Sequence, residues 1–336
     1  PGLEAPPSLG TSSGDTVYVG GSTPSQGGRV GAERKQNKAH GSHCDCAFRA
    51  DRAPEGAHDH QPGPRPEGGR GHRLVLIDQP APHVARITLN RPERLNAMSI
   101  DLVIELWDAL DVVAAENESW VVILTGAGSS FCSGLDLKDY GIIPNIDGLQ
   151  VGRIAQRSMR YYSRLVPKMR SIPQPIIAAI NGPAFGGGMC LSLGADLRIA
   201  SASAVFNATG IVNGLASTEM GISFLLPRLI GAAHSNDLLL TGRRIGADDA
   251  LRMGLVSRVE ADDAVAGIAV DMASEMVKFS PYGLAMTKET LWANLEVASL
   301  AAAIELEDRN QLMMGFTNNL PEAIRAFAQD REPVYT

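Results

Sequence analysis

Three parts of this 336-residue sequence have residue types and spacings that could do chemistry: the glycine run Gly186–Gly188, the stretch Gly126–Leu137, and Glu219. The glycines follow an apolar run, Pro175–Ile180, and lead into Met189–Leu193, which reads as a helix start. A turn of glycines lets backbone approach a ligand closely. The first N–H groups of a helix lack intrahelical partners and lie at the positive end of its dipole, so such a turn can hold a phosphate, a carboxylate or a developing oxyanion. Upstream, WVVILT (Trp120–Thr125) has the length and β-branched content of a buried parallel strand and opens into GAGSSFCSGLDL, Gly126–Leu137. Two such exits from neighbouring parallel strands can point two N–H groups at one carbonyl oxygen.

Glu219 lies in GIVNGLASTEMGISFLLPRLIG, Gly210–Gly231, at the predicted start of a helix. Desolvation among Met220, Ile222, Phe224 and Leu225 would raise its pKa and make it a better base. The plainer alternative is that Ser217 or Thr218 caps the helix and Glu219 only complements the dipole. Cys190 follows the glycines, and an unperturbed thiol is mostly protonated near neutral pH, so it reads as a small packing residue. From Arg73 onward there is no metal-ligand spacing, Walker loop or nucleophile elbow. The pattern HGSHCDC, His40–Cys46, matches no standard zinc module and reads as a chance cluster.

The scaffold predicted around these residues begins near Arg73. Residues 1–72 are crowded with Gly, Pro, Ser, Arg and His and have few large apolar side chains, so they read as a disordered tail. RLVLIDQ and VARITLN then form a strand pair, and Ser99 caps a helix carrying Ile100, Val103, Trp107 and Leu110 on one side. A long helical pattern runs from about Leu149 to Arg170. LRIAS and AVFNA are short strands, and helices at about 262–278, 282–295, 298–314 and 320–330 finish the chain. Serial strand and helix units with parallel-strand features predict an α/β layered fold. A net charge of −7 argues against a nucleic-acid surface or an anionic membrane as partner. No apolar run reaches membrane-spanning length, and no secretory signal pattern is present. Cys44, Cys46, Cys132 and Cys190 are too few and dispersed for a disulfide framework, which makes a reducing cytoplasm the expected compartment.

LNRPERLNAM (Leu89–Met98), FCSGLDL (Phe131–Leu137), NGPAFGGG (Asn181–Gly188) and TGRRIGADDALRMGLVSRV (Thr241–Val259) resemble, in that order, the signature segments of the crotonase family, the enoyl-CoA hydratases and isomerases. The resemblance covers about residues 73–336. It implies a crotonase-like spiral of ββα units over 73–262 and a helical region over 263–336 that serves oligomer contacts and covers the CoA site. The implied substrate is a fatty acyl-CoA thioester of β-oxidation, with coenzyme A entering only as part of the substrate, no permanently bound cofactor, and a homotrimer or dimer of trimers as the assembly. The N–H groups of Leu135 and Gly187 are implied as an oxyanion hole. Arg94, Asn96, Ala97, Ser133, Gly134, Asp136, Leu137, Gly186 and Gly188 are implied as substrate or CoA contacts. Tyr140, Ile142 and Ile143 become candidates for the acyl-pocket wall or for ordinary packing, and Asp196 matches a common structural aspartate. Of the nearby cations, Arg94 could meet a phosphate, or Arg91 and Arg94 could be solvated loop charges.

The sequence departs from the hydratase pattern at both usual glutamates, whose positions hold Cys190 and Gly210. Glu219, eight residues before Pro227, is similar in spacing to the catalytic acid of family members that move double bonds. The expectation is an enzyme of the enoyl-CoA hydratase/isomerase class with Glu219 as acid/base. A double-bond isomerase and a non-catalytic acyl-CoA-binding subunit are the alternatives.

Overall fold

β-branched runs separated by helices build a layered sheet in the computed structural model, which describes residues 73–336. The expected tail and the His40–Cys46 cluster lie outside the described residues. In chain order the strands are β1 (Val75–Ala81), β2 (Val84–Leu89), β3 (Val121–Gly126), β4 (Ile176–Ile180), β5 (Ala184–Phe185), β6 (Leu197–Ser201), β7 (Val205–Asn207), β8 (Ile245–Gly246) and β9 (Arg258–Glu260). The helices are α1 (Ile100–Ala115), α2 (Val151–Ser163), α3 (Leu165–Ser171), α4 (Gly187–Gly194), α5 (Ile222–Thr241), α6 (Ala247–Met253), α7 (Val265–Met276), α8 (Pro281–Asn294), α9 (Leu300–Met314) and α10 (Asn319–Ala328).

The larger sheet has the order β1-β2-β3-β4-β6-β9; its β1–β2 pair is antiparallel and the rest is parallel. β5, β7 and β8 form a second, three-stranded sheet. Side chains alternate across the larger sheet with period two. Ile87, Leu89, Val122, Leu124, Ile176 and Ala178 enter the main core with α1, α3 and α4. Their neighbours Val84, Val121, Ile123, Ile177, Ala179 and Ile199 pack on Val265, Ala269 and Ala273 of α7. The expected boundary at 262 therefore marks no break in packing, because α7 closes the second face of the sheet. α8 is also tied to the body: Lys288 Nζ donates to the Met169 and Gln174 carbonyls at 2.9 and 2.8 Å and pairs with Asp196 at 3.2 Å. Asp196 further accepts from Trp292 Nε1 and the Ile176 N–H at 2.5 and 2.7 Å, a structural role.

Two helix expectations are corrected. The pattern at 149–170 is two helices meeting at Arg164, because Pro167, in the first turn of α3, has no N–H to continue the α2 ladder. α5 begins at Ile222, after Glu219, and breaks at Gly231, where φ is 76°. None of the described helices is long and apolar enough to cross a membrane.

Candidate active site

The loops that leave β3 and β4 run side by side. The Phe131 and Cys132 N–H groups donate to the Pro183 carbonyl at 3.1 and 3.2 Å, and the Phe185 N–H donates to the Cys132 carbonyl at 2.9 Å. The Gly186 N–H continues the pairing to Asn207 of β7 at 2.8 Å. Glycine is required where the loops touch. A Cβ at Gly188 would lie 2.1 Å from the Cys132 carbonyl oxygen. Gly134 has φ +89°, and a Cβ there would lie 2.7 Å from the Phe185 carbonyl oxygen and 3.4 Å from the Gly187 nitrogen.

This stitching sets two peptide units. The Gly134 carbonyl accepts from the Met98 N–H at 2.7 Å, within a parallel bridge between Met98 and Leu135. Carbonyl and N–H point to opposite sides of a trans peptide, so the Leu135 N–H of the same unit points away from Met98. The Gly186 carbonyl likewise accepts from the Cys190 N–H at 3.0 Å, leaving the Gly187 N–H on the other side of its peptide, at the first position of α4. Neither the Leu135 nor the Gly187 N–H enters a backbone hydrogen bond among the described residues.

Glu219 is half-buried beside the glycine turn, and a Cβ at Gly186 would lie 3.4 Å from its Oε1. Burial raises its pKa, and it forms no ion pair among the described residues that would offset this. Its backbone carbonyl accepts from Cys190 Sγ at 3.6 Å and from the Ile222 N–H at 2.9 Å. The next residue, Met220, takes a positive φ of 48°, a conformation that costs a non-glycine residue energy and recurs at functional sites. The capping alternative is not what is found: Ser217 Oγ accepts from the Ile211 N–H at 2.8 Å and donates to the Ala208 carbonyl at 3.1 Å. Gly221 occupies the cap position of α5 without a side-chain bond.

A family model described as Enoyl-CoA hydratase/isomerase matches residues 81–336. The chain belongs to this family, within the crotonase superfamily. A "probable enoyl-CoA hydratase" of Mycobacterium tuberculosis is 46% identical over 264 residues, 78% of this chain and 93% of that protein. Among solved structures, a probable enoyl-CoA hydratase/isomerase from Mycobacterium abscessus superposes with TM-score 0.75 at 42% identity, covering 78% of this chain and 98% of that one. A monofunctional enoyl CoA isomerase from M. smegmatis superposes with TM-score 0.60 at 41% identity, covering 69% of this chain and 99% of that one. The chain is thus an enzyme of the enoyl-CoA hydratase/isomerase class with the mixed α/β crotonase fold.

Several residues expected to touch CoA have side chains engaged within the protein. Asn96 is fully buried: its Nδ2 donates to the Ala127 and Ser130 carbonyls at 2.9 and 2.7 Å, and its Oδ1 accepts from the Arg91 N–H at 2.9 Å. Asp136 is also buried and binds Arg94 Nη2 at 2.5 Å and Arg91 Nη1 at 3.0 Å. Burial opposes its charge, but the Arg94 bond and the Asp139 and Lys138 amides outweigh that and hold its pKa at about 2. Arg94 spends its guanidinium on Asp136, and Arg91 is buried instead of solvated. Only tertiary contact could reveal Arg91, because its carboxylate partners lie 45 and 48 residues away.

Ala97, Gly134, Gly186 and Gly188 are buried in the stitched loops, Ser133 is partly buried, and Leu135 and Leu137 are exposed. Tyr140 and Ile143 pack against the core, with Tyr140 hydrogen-bonded to Ser158, while Ile142 is exposed. Cys190 is buried, and burial, Glu219 and Cys132 all push its thiol pKa up, as suits a packing residue. A Cβ at Gly210 would lie 2.2 Å from the Ala216 carbonyl oxygen, so that position has no room for a carboxylate. Sequence reasoning placed Met220 beside Glu219 but missed that it and Met98 line the glycine turn: a Cβ at Gly187 would lie 2.1 Å from Met98 Cε and 3.3 Å from Met220 Sδ.

Proposed function

We propose that this enzyme moves the double bond of an enoyl-CoA ester by proton transfer through Glu219. The observation that carries the reading is a desolvated carboxylate, free of cationic partners among the described residues, beside the glycine turn, in a chain whose second hydratase position is closed at Gly210. The Glu219 carboxylate takes a proton from the α carbon of a β,γ-enoyl-CoA. The C–H electron pair moves toward the thioester carbonyl, and the resulting dienolate oxygen is held by the Leu135 and Gly187 N–H groups. Glu219 then returns the proton to the γ carbon, giving the α,β-enoyl-CoA with no net redox change. Hydration needs a second group to activate water and is the runner-up, supported by the name of the M. tuberculosis relative. The M. smegmatis isomerase supports transfer of a proton within the substrate.

In this proposal coenzyme A enters only with the acyl substrate, without a resident cofactor, nucleic acid or membrane partner, and the enzyme serves fatty acid β-oxidation in the cytoplasm. Exposed apolar side chains on α9 and α10, Leu300, Ile304, Leu320, Ile324 and Phe327, suit a homotrimer or dimer of trimers. The test is turnover of β,γ- and α,β-enoyl-CoA esters, with product double-bond position read by NMR, for the wild type and Glu219→Gln. Equal turnover by both proteins would remove Glu219 from the mechanism.

A further inference from the structure

Asp136 is buried, and protein donors engage both of its carboxylate oxygens. It lies at the end of the segment pair that fixes the Leu135 peptide, and five donors converge on it. Its Oδ2 accepts from Arg91 Nη1 at 3.0 Å and Arg94 Nε at 3.2 Å. Its Oδ1 accepts from Arg94 Nη2 at 2.5 Å, the Lys138 N–H at 3.0 Å and the Asp139 N–H at 2.9 Å. Both arginines come from the segment that pairs with the Leu135 loop. Arg91 Nη1 also donates to the Ala97 carbonyl at 2.8 Å, one residue before Met98, and Arg91 Nη2 reaches Asp139 at 2.9 Å. Met98 closes the pair on both sides of Leu135: its N–H donates to the Gly134 carbonyl at 2.7 Å, and its carbonyl accepts from the Asp136 N–H at 3.1 Å.

We infer that Asp136, clamped by Arg91 and Arg94, is a positioning residue for the Leu135 oxyanion donor. The inference rests on the oxyanion reading of the proposed function. The Leu135 N–H shares its peptide plane with the Gly134 carbonyl, so whatever fixes the Met98 ladder fixes the direction of that N–H. A preorganised donor stabilises developing charge because it need not reorient during the reaction, and a displacement of about 1 Å can cost about 100-fold in rate. The two guanidiniums also offset the negative charge that Asp136 would otherwise place beside the developing oxyanion.

The experiment uses butanoyl-CoA carrying an isotopic label in its carbonyl, a saturated ester that cannot isomerise, and infrared difference spectroscopy of the bound carbonyl stretch. It is run on the wild type, Asp136→Asn and Arg94→Gln, with kcat and KM measured on a β,γ-enoyl-CoA. The wild type should lower the carbonyl frequency; no shift in the wild type overturns the oxyanion reading itself. Given that shift, Asp136→Asn should lose most of it and lose about 10- to 100-fold in kcat with KM little changed, while its melting stays cooperative. A folded Asp136→Asn that keeps the full shift overturns the positioning role, whatever happens to kcat. Should Asp136→Asn fail to fold, Arg94→Gln decides, because the Arg91 bond remains: an intermediate shift supports the role and a full shift overturns it.

Discussion

Glu219 and Gly186 face each other, since a Cβ on the glycine would lie 3.4 Å from Glu219 Oε1. The carboxylate thus lies beside the turn that carries the Gly187 N–H, the arrangement on which the proposed acid/base role of Glu219 rests. Glu219→Gln keeps the shape and removes the carboxylate that accepts and returns the proton, so kcat should fall by about a hundred- to ten-thousand-fold with binding of acyl-CoA retained. Steady-state kinetics together with calorimetric binding checks both halves of this expectation.

The same burial has a stability cost with a definite sign. Glu219 has a folded-state pKa raised above its unfolded value, so the folded protein binds the extra proton and stability falls as pH rises through the raised pKa. Activity has the opposite demand, because the base must be ionised, and kcat should fall as pH drops through that pKa. Glu219→Gln should therefore melt higher than wild type at neutral pH, with the gap closing toward acid. Melting curves across pH measure this.

Neighbouring glycines should respond differently to the same substitution. Gly188→Ala places a Cβ 2.1 Å from the Cys132 carbonyl oxygen, a backbone atom, whereas Gly187→Ala meets Met98 Cε, the end of a flexible side chain. Gly188→Ala should cost about 1–3 kcal/mol of stability or more, and Gly187→Ala should cost less. Chemical denaturation of the pair decides it.

Both described cysteines should be inert. Burial pushes the Cys132 thiol up to about 12, and Cys190 is raised by burial and by its neighbours Glu219 and Cys132. A thiol reagent should label neither in the native enzyme and both after unfolding, and Cys190→Ser should keep kcat within about threefold, as a position outside the chemistry would. Rapid labelling of native Cys190 would contradict its assignment to packing.

Restoring the second hydratase glutamate by Gly210→Glu should fail. Its Cβ would lie 2.2 Å from the Ala216 carbonyl oxygen, so the variant should lose about 1–3 kcal/mol or more and gain no hydratase activity. Hydration of an α,β-enoyl-CoA by a stably folded variant would show that the 208–217 loop can open for a side chain.

Local chemistry made much of this protein legible in its sequence. Continuous apolar runs marked β3 and β4 as buried strands, Ser99 marked where α1 begins, and the glycines marked a turn whose backbone can be approached closely. Helical periodicity over 149–170 hid the split between α2 and α3, which Pro167 imposes. Charge partners were hidden as well. Arg94 read as a phosphate contact or, with Arg91, as a solvated loop charge, because nothing near them in the chain points to a buried carboxylate partner. Folding brings Asp136 against both, and the cluster becomes a buried clamp on the Leu135 loop. Glu219 read as the first turn of a helix, yet the left-handed Met220 and Gly221 hold it ahead of α5 beside Gly186. Periodicity and propensity act over a few residues and survive in any window of sequence. Desolvation and ion pairing depend on what lies within a few ångströms across the fold, and only the tertiary structure decides that.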